Sequence, residues 1–173
     1  EPDLLPGVPE AADRLHQAVV ERRKIVVYGD YDADGMTATA ILLRCLQLLG
    51  ADATYYVPSR LDEGYGLNAE ALRTLAARGT SLVITVDCGI ASVDHARLAR
   101  ELGLELVITD HHEPGPELPD AAAIVHPRLP GHEYPFAGLC GAAVAFKLAW
   151  ALCQRASQAK KVSEPLRNHR PPP

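Results

Sequence analysis

Along most of the chain, short apolar runs alternate with longer segments whose apolar residues recur every three or four positions. The runs read as strands and the longer segments as helices. A helix-like segment near Glu10–Arg22 precedes the strand KIVVYGD (Lys24–Asp30) and the helix MTATAILLRCLQLLG (Met36–Gly50), with Ile41, Leu42, Cys45 and Leu46 on one face. ADATYYVPS (Ala51–Ser59) predicts a second strand; Asn68, as an N-cap, then opens a helix that runs to Arg78 and stops at Gly79. SLVITVD (Ser81–Asp87), a helix from about Ser92 to Leu102 closed by Gly103, and LELVITD (Leu104–Asp110) continue the alternation. A short strand, AAAIVHP (Ala121–Pro127), leads into a loop rich in Pro and Gly, and a long apolar helix begins near Gly141.

Strands that are apolar throughout, separated by helices, indicate a parallel sheet covered on both faces. The expected fold is α/β: a Rossmann-like, mostly parallel sheet flanked by helices on both faces. Residues 1–155 are expected to form one domain, and 156–173 a polar, Pro-rich tail ending in HRPPP. The chain has 173 residues, 47% of them hydrophobic, which suits one compact domain and excludes a disordered chain.

No apolar run approaches a membrane span, and the start, EPDLLPGVPEAADRL, lacks the basic-then-apolar layout of a signal peptide. The missing initiator Met points to a processed product or an excerpt of a longer chain. Cys45, Cys88, Cys140 and Cys153 include no CxxC pair and read as reduced thiols of a cytoplasmic protein. The net charge of -5 argues weakly against a nucleic-acid binder, but acids that ligate divalent metal would leave a less negative working charge. Only Lys24, Lys147, Lys160 and Lys161 are lysines; the remaining basic side chains are arginines, suited to bidentate phosphate contacts.

The chemistry gathers at strand ends. Asp30, Asp32 and Asp34 follow the first strand, Asp87 ends the third in VDCG, and Asp110-His111-His112 ends the fourth in ITDHH. Ligand sites of open parallel sheets lie at the carboxyl ends of strands, so these groups converge although distant in sequence. Clustered carboxylates need a counter-charge or take up protons. Hard oxygens with one or two imidazoles point to Mn²⁺ or Mg²⁺, and more than four such ligands point to two ions. Taken singly, each motif has a plainer reading: an acid after a strand caps a helix or shapes a turn, and DHH sits in a surface loop. Three acidic strand ends in one sheet are harder to explain that way.

Phosphoryl-receiving domains also place acids at strand ends but have no use for a His-His pair. No GxxxxGK[ST] loop is present, and no GxGxxG follows a strand. Gly138-x-x-Gly141 permits a tight entry into the last helix, whose N-terminal amides also suit a phosphate. Cys88 reads as a space-filler beside the site and not as a nucleophile.

DYDADG, VDCG and DHHEPG, in this order after successive strands, resemble the DHH phosphoesterase superfamily. RLDEGYGL (Arg60–Leu67) and LCGAAVAFKL (Leu139–Leu148) resemble its subgroup of bacterial single-strand-specific 5′→3′ exonucleases, so the likeness spans roughly Lys24 to Trp150. The resemblance implies a two-metal phosphodiesterase in DNA repair and recombination, using two Mn²⁺ ions, with Mg²⁺ as the alternative. Asp32 and Asp34 would hold different ions, Asp87 would bridge them, and His111 would be a ligand of one. Asp30 and Asp110 would hold or orient metal ligands, and His112 would face the scissile phosphate. Arg60 would grip a phosphate, Tyr65 would stack on a base or serve as a turn residue, and Gly141 would lie against the strand.

Tyr28 stands where other members carry a ligand His, and after Glu133 the only acid is Glu164, whereas the superfamily pattern includes a further metal aspartate downstream. The chain therefore resembles the N-terminal part of a larger catalytic core. The partners implied are single-stranded DNA and a single-strand-binding protein or helicase, with no membrane. Two other readings remain open at this point: a DHH phosphodiesterase for short oligonucleotides or cyclic dinucleotides, and an inactive scaffold that keeps the fold.

Overall fold

The computed structural model describes residues 1–59 and 65–158. The elements are α1 (Val8–Val20), β1 (Ile25–Tyr28), α2 (Ala33–Leu48), β2 (Ala53–Tyr56), α3 (Ala69–Ala77), β3 (Leu82–Val86), α4 (Val93–Glu101), β4 (Glu105–Thr109), β5 (Ala123–Val125) and α5 (Gly141–Gln158), after a short 3₁₀ turn at Pro2–Leu4. The five strands form a single sheet in the order β2-β1-β3-β4-β5, and every pairing is parallel.

Successive residues of a strand point to opposite faces, so each apolar run divides between two cores. On one face Ile25, Val27, Ile84, Val86, Val107 and Val125 pack with the buried sides of α1, α2 and α5. On the other, Val26, Tyr28, Val83, Leu106 and Ile108 pack with Leu72 and Leu75 of α3 and Ala96 and Ala99 of α4. Each fully buried Leu or Ile among them contributes roughly 2 kcal/mol. The expected α/β sheet with helices on both faces is the fold found.

Three details differ from the sequence expectation. β2 is an edge strand with Thr54 and Tyr55 exposed, because only β1 lies beside it. α2 starts at Ala33 and not Met36, since the Asp32 side chain caps it by accepting the Gly35 amide. α5 continues through Gln158 with Ala156 buried, so the expected boundary after residue 155 falls inside a helix. The rest of the expected tail, 159–173, lies outside the described residues.

Candidate metal centre

From β1 the chain runs outward to β2, then returns to form β3 on the other side of β1. The connections leaving β1 and β3 therefore diverge, and such a reversal opens a crevice at the strand ends. Three loops and one helix end meet there.

The first loop follows β1. Asp30 is buried, and burial raises its pKa although its Oδ1 accepts the Tyr31 amide at 2.8 Å. Gly35 lets α2 sit directly on it: a Cβ at Gly35 would lie 2.6 Å from Asp30 Cβ. Asp32 is exposed, its Oδ1 2.8 Å from the Gly35 amide. Asp34, in the first turn of α2, reaches the start of α5 and accepts the Gly141 and Ala142 amides, each at 2.7 Å. Burial pushes the Asp34 carboxyl up, but those two hydrogen bonds, with help from Cys140 and His111, outweigh it and hold its pKa below the ordinary value.

The second loop is the VDCG turn after β3. Asp87 adopts a left-handed conformation at φ +62°, followed by Gly89 at φ +111°. Thr85 Oγ1 donates to the Cys88 carbonyl at 2.7 Å and fixes the turn. The result is a buried Asp87 whose Oδ1 has no hydrogen-bond partner among the described residues. His111 Nε2 lies 3.0 Å from that oxygen without hydrogen-bond alignment, and 3.5 Å from Asp34 Oδ2. Burial first, and then the charges of Asp34 and Asp32, push the Asp87 pKa up to about 7. Cys88 is fully buried, and burial pushes its thiol pKa well up, which keeps it protonated and matches the space-filling reading.

The third loop, after β4, carries Asp110, His111 and His112. Asp110 is buried and saturated: Oδ1 accepts the His111 amide at 2.7 Å, the His112 amide at 3.1 Å and His112 Nδ1 at 2.7 Å, while Oδ2 accepts the Ile90 amide at 2.9 Å. Burial pulls the His112 pKa down, but the Asp110 hydrogen bond and charge outweigh it, and the net shift is upward.

Among the described residues, two groups of three offer donor atoms lying within 4.8 Å of one another: Asp30 with Asp32 and Asp87, and Asp87 with His111 and His112. Asp87 is common to both. Asp34 belongs to neither group, but each of its oxygens accepts only one amide of α5, and Oδ2 lies 3.5 Å from His111 Nε2. A buried carboxylate oxygen without a donor, amid hard oxygens and imidazoles, fits a divalent cation.

The remaining sequence candidates divide. Tyr65 comes to the site, with its hydroxyl 3.3 Å from the Asp87 carbonyl and 3.2 Å from His112 Nδ1, and its ring edge-on to His112. Gly141 also comes, but its amide is taken by Asp34 and is not left open to a phosphate. Its lack of a side chain is what matters, since a Cβ there would lie 2.3 Å from Asp87 Oδ1. Arg60 lies outside the described residues. Tyr28 points away from a ligand role: its buried hydroxyl donates to the Gly66 carbonyl at 3.1 Å, anchoring the segment that carries Tyr65. A cavity of about 270 Å³ opens beside His112, lined also by Tyr65, Ile90, Ser92 and His95.

Sequence reasoning missed His126 and Arg128, which follow β5 and bond to the backbone of His112 and His111. The available signal was their place at the end of a strand next to β4, since strand ends on that side of the sheet converge.

The chain is similar to known proteins along most of its length. The chain is 57% identical over 152 residues to the single-stranded-DNA-specific exonuclease RecJ of Bacillus subtilis (strain 168), covering 88% of this chain and 19% of that protein. A crystal structure of exonuclease RecJ bound to manganese superposes with a TM-score of 0.80 at 44% identity, covering 87% of this chain and 38% of that one. RecJ from Thermus thermophilus in complex with Mn²⁺ gives a TM-score of 0.74 at 40% identity, over 88% of this chain and 22% of that one. The chain thus spans about a fifth of the length of the Bacillus subtilis relative. Residues 24–168 match the model of the DHH family, N-terminal domain, which takes in every acid and imidazole of the crevice: the chain belongs to the DHH family.

Proposed function

We propose that this chain carries the metal site of a single-strand-specific DNA exonuclease that hydrolyses phosphodiester bonds in the 5′→3′ direction, as part of DNA repair and recombination. The observation that carries the reading is Asp87: a buried carboxylate with an unpartnered oxygen, common to both three-residue donor groups. Asp30, Asp32 and Asp87 would hold one divalent ion and Asp87 with His111 the other, with Asp34 beside His111 as a further oxygen donor. Mn²⁺ is favoured over Mg²⁺ because imidazole is among the ligands. When bound, such ions neutralise phosphate charge and activate water for in-line attack on phosphorus.

The protein's own groups do the positioning. Asp110 fixes His112 through Nδ1 and raises its pKa, so the ring is held where it can meet the charge of a phosphodiester. Tyr65 sets the His112 ring from the side, and the cavity beside it has room for part of a nucleotide. Residues 1–155 with the end of α5 act as the catalytic domain, Arg60 contributes a phosphate contact, and single-stranded DNA is delivered in the cytoplasm by a single-strand-binding protein or helicase.

Competition in Mn²⁺ separates this reading from its neighbour. A long 5′-phosphorylated single strand should displace a labelled strand far better than a dinucleotide does. Preference for the dinucleotide would assign the site to short-oligonucleotide phosphodiesterases instead.

A further inference from the structure

The His111-His112 pair is held from both sides of its backbone. On the amide side, Asp110 accepts both N–H groups. On the carbonyl side, the partners come from the segment after β5. His126 is fully buried, and its Nδ1 accepts the Arg128 amide at 3.0 Å. A ring nitrogen that accepts a hydrogen bond carries no proton, so neutral His126 bears its proton on Nε2. That nitrogen lies 2.8 Å from the His112 carbonyl oxygen and donates to it. Burial lowers the His126 pKa, in keeping with a neutral ring. Arg128 Nη2 donates to the His111 carbonyl at 2.6 Å, and its Nη1 is fixed in turn by Glu113 at 2.9 Å.

We propose that His126 and Arg128 are positioning residues for the metal centre, clamping the two carbonyls of the His111-His112 segment so that its imidazoles point into the crevice. The proposal rests on the reading of His111 as a metal ligand. Both act through the backbone between Asp110 and Glu113, by their bonds to the His112 and His111 carbonyls. Because β5 pairs with β4, the clamp and the segment it holds are carried by adjacent strands of one sheet. The buried Nε2–H of His126 has one acceptor, and the geometry of the histidine pair depends on that contact. Partners that orient a ligand in this way typically change metal affinity by roughly 10–100-fold when removed.

Two substitutions separate positioning from bulk stability. His126→Gln places an amide nitrogen near the site of Nε2 and keeps the donor to His112. His126→Asn reaches only the site of Nδ1 and loses it. Mn²⁺ affinity is measured by calorimetry, and amide hydrogen exchange of His111 and His112 is followed in the metal-free protein. The expected result is a roughly tenfold or greater loss of Mn²⁺ affinity in His126→Asn, with faster exchange confined to the Asp110–His112 turn. His126→Gln should stay within a few-fold of wild type on both measures. Equal fall in melting temperature for both variants, with wild-type affinity and exchange protection at the turn, would overturn the proposal. If the wild-type protein takes up no Mn²⁺, the metal reading fails, and the exchange data alone decide the clamp by the same criterion.

Discussion

Two buried carboxylates end neighbouring strands of this sheet, and they are opposites. Asp110, after β4, accepts three backbone amides and an imidazole nitrogen. Asp87, after β3, is equally buried yet has an oxygen with no hydrogen-bond partner among the described residues, and its pKa is pushed up to about 7 by burial and by Asp34 and Asp32. Desolvation acts on both, but only Asp110 meets donors that repay it. A saturated acid is scaffold, and a frustrated one is where a cation is to be expected. The turn chemistry explains the difference: the left-handed Asp87 aims its carboxylate across the crevice toward α5, away from its own loop amides.

The largest test of this contrast removes the scaffold acid. Asp110→Ala strips the acceptor from the buried Ile90 amide and from the part-buried His111 and His112 amides, and should cost about 3 kcal/mol in urea unfolding, at roughly 1–3 kcal/mol for the buried group and less for the other two. Gly141→Ala comes next. Its Cβ would press on Asp87 Oδ1 and Cγ at 2.3 and 2.6 Å, so α5 or the short Asp87 side chain must shift. A loss of about 2 kcal/mol is expected, read from the same unfolding curves.

Asp87 itself should behave in the opposite sense in the metal-free protein. Its folded pKa stands above its unfolded one, so the native state holds the proton longer. Stability from this group is complete below about pH 4 and is lost as pH rises to about 7, by on the order of a few kcal/mol. Asp87→Asn tolerates the left-handed backbone and removes the buried charge, so it should flatten that decline and be at least as stable as wild type at pH 8. A wild-type curve that rises between pH 4 and 7, unaltered by the substitution, would break the comparison. The smallest effect belongs to Tyr28→Phe, which loses one hydrogen bond to Gly66 and should cost about 1 kcal/mol with little change at Asp87.

Much of the fold was readable because β1, β3 and β4 are covered on both faces and appear as unbroken apolar runs. β2 was read as the same kind of strand, but the edge position that exposes Thr54 and Tyr55 is a tertiary fact with no local signature. The expected boundary after residue 155 was drawn on polarity, whereas α5 runs on to Gln158 and Ala156 is buried by packing that its polar neighbours do not reveal. At the site, acids on three strand ends were legible through topology. The saturation of Asp110 was not, since its partners are mostly backbone amides that every sequence possesses. Gly141 was read as an amide donor for phosphate, yet Asp34, more than 100 residues earlier in the chain, takes that amide. Tyr28 was weighed only as a substitute ligand, and its hydrogen bond to Gly66 is a tertiary contact between residues 38 positions apart. His126 was missed because the backbone carbonyl it meets leaves no pattern in the sequence.

In the proposed site Asp87 joins two cation sites. Calorimetric titration of the wild-type protein with Mn²⁺, beside Asp87→Ala, measures whether it does. Two sites are expected in the wild type, both weakened at least about tenfold by the substitution. Absence of Mn²⁺ uptake, or an Asp87→Ala protein that binds as the wild type does, would contradict it.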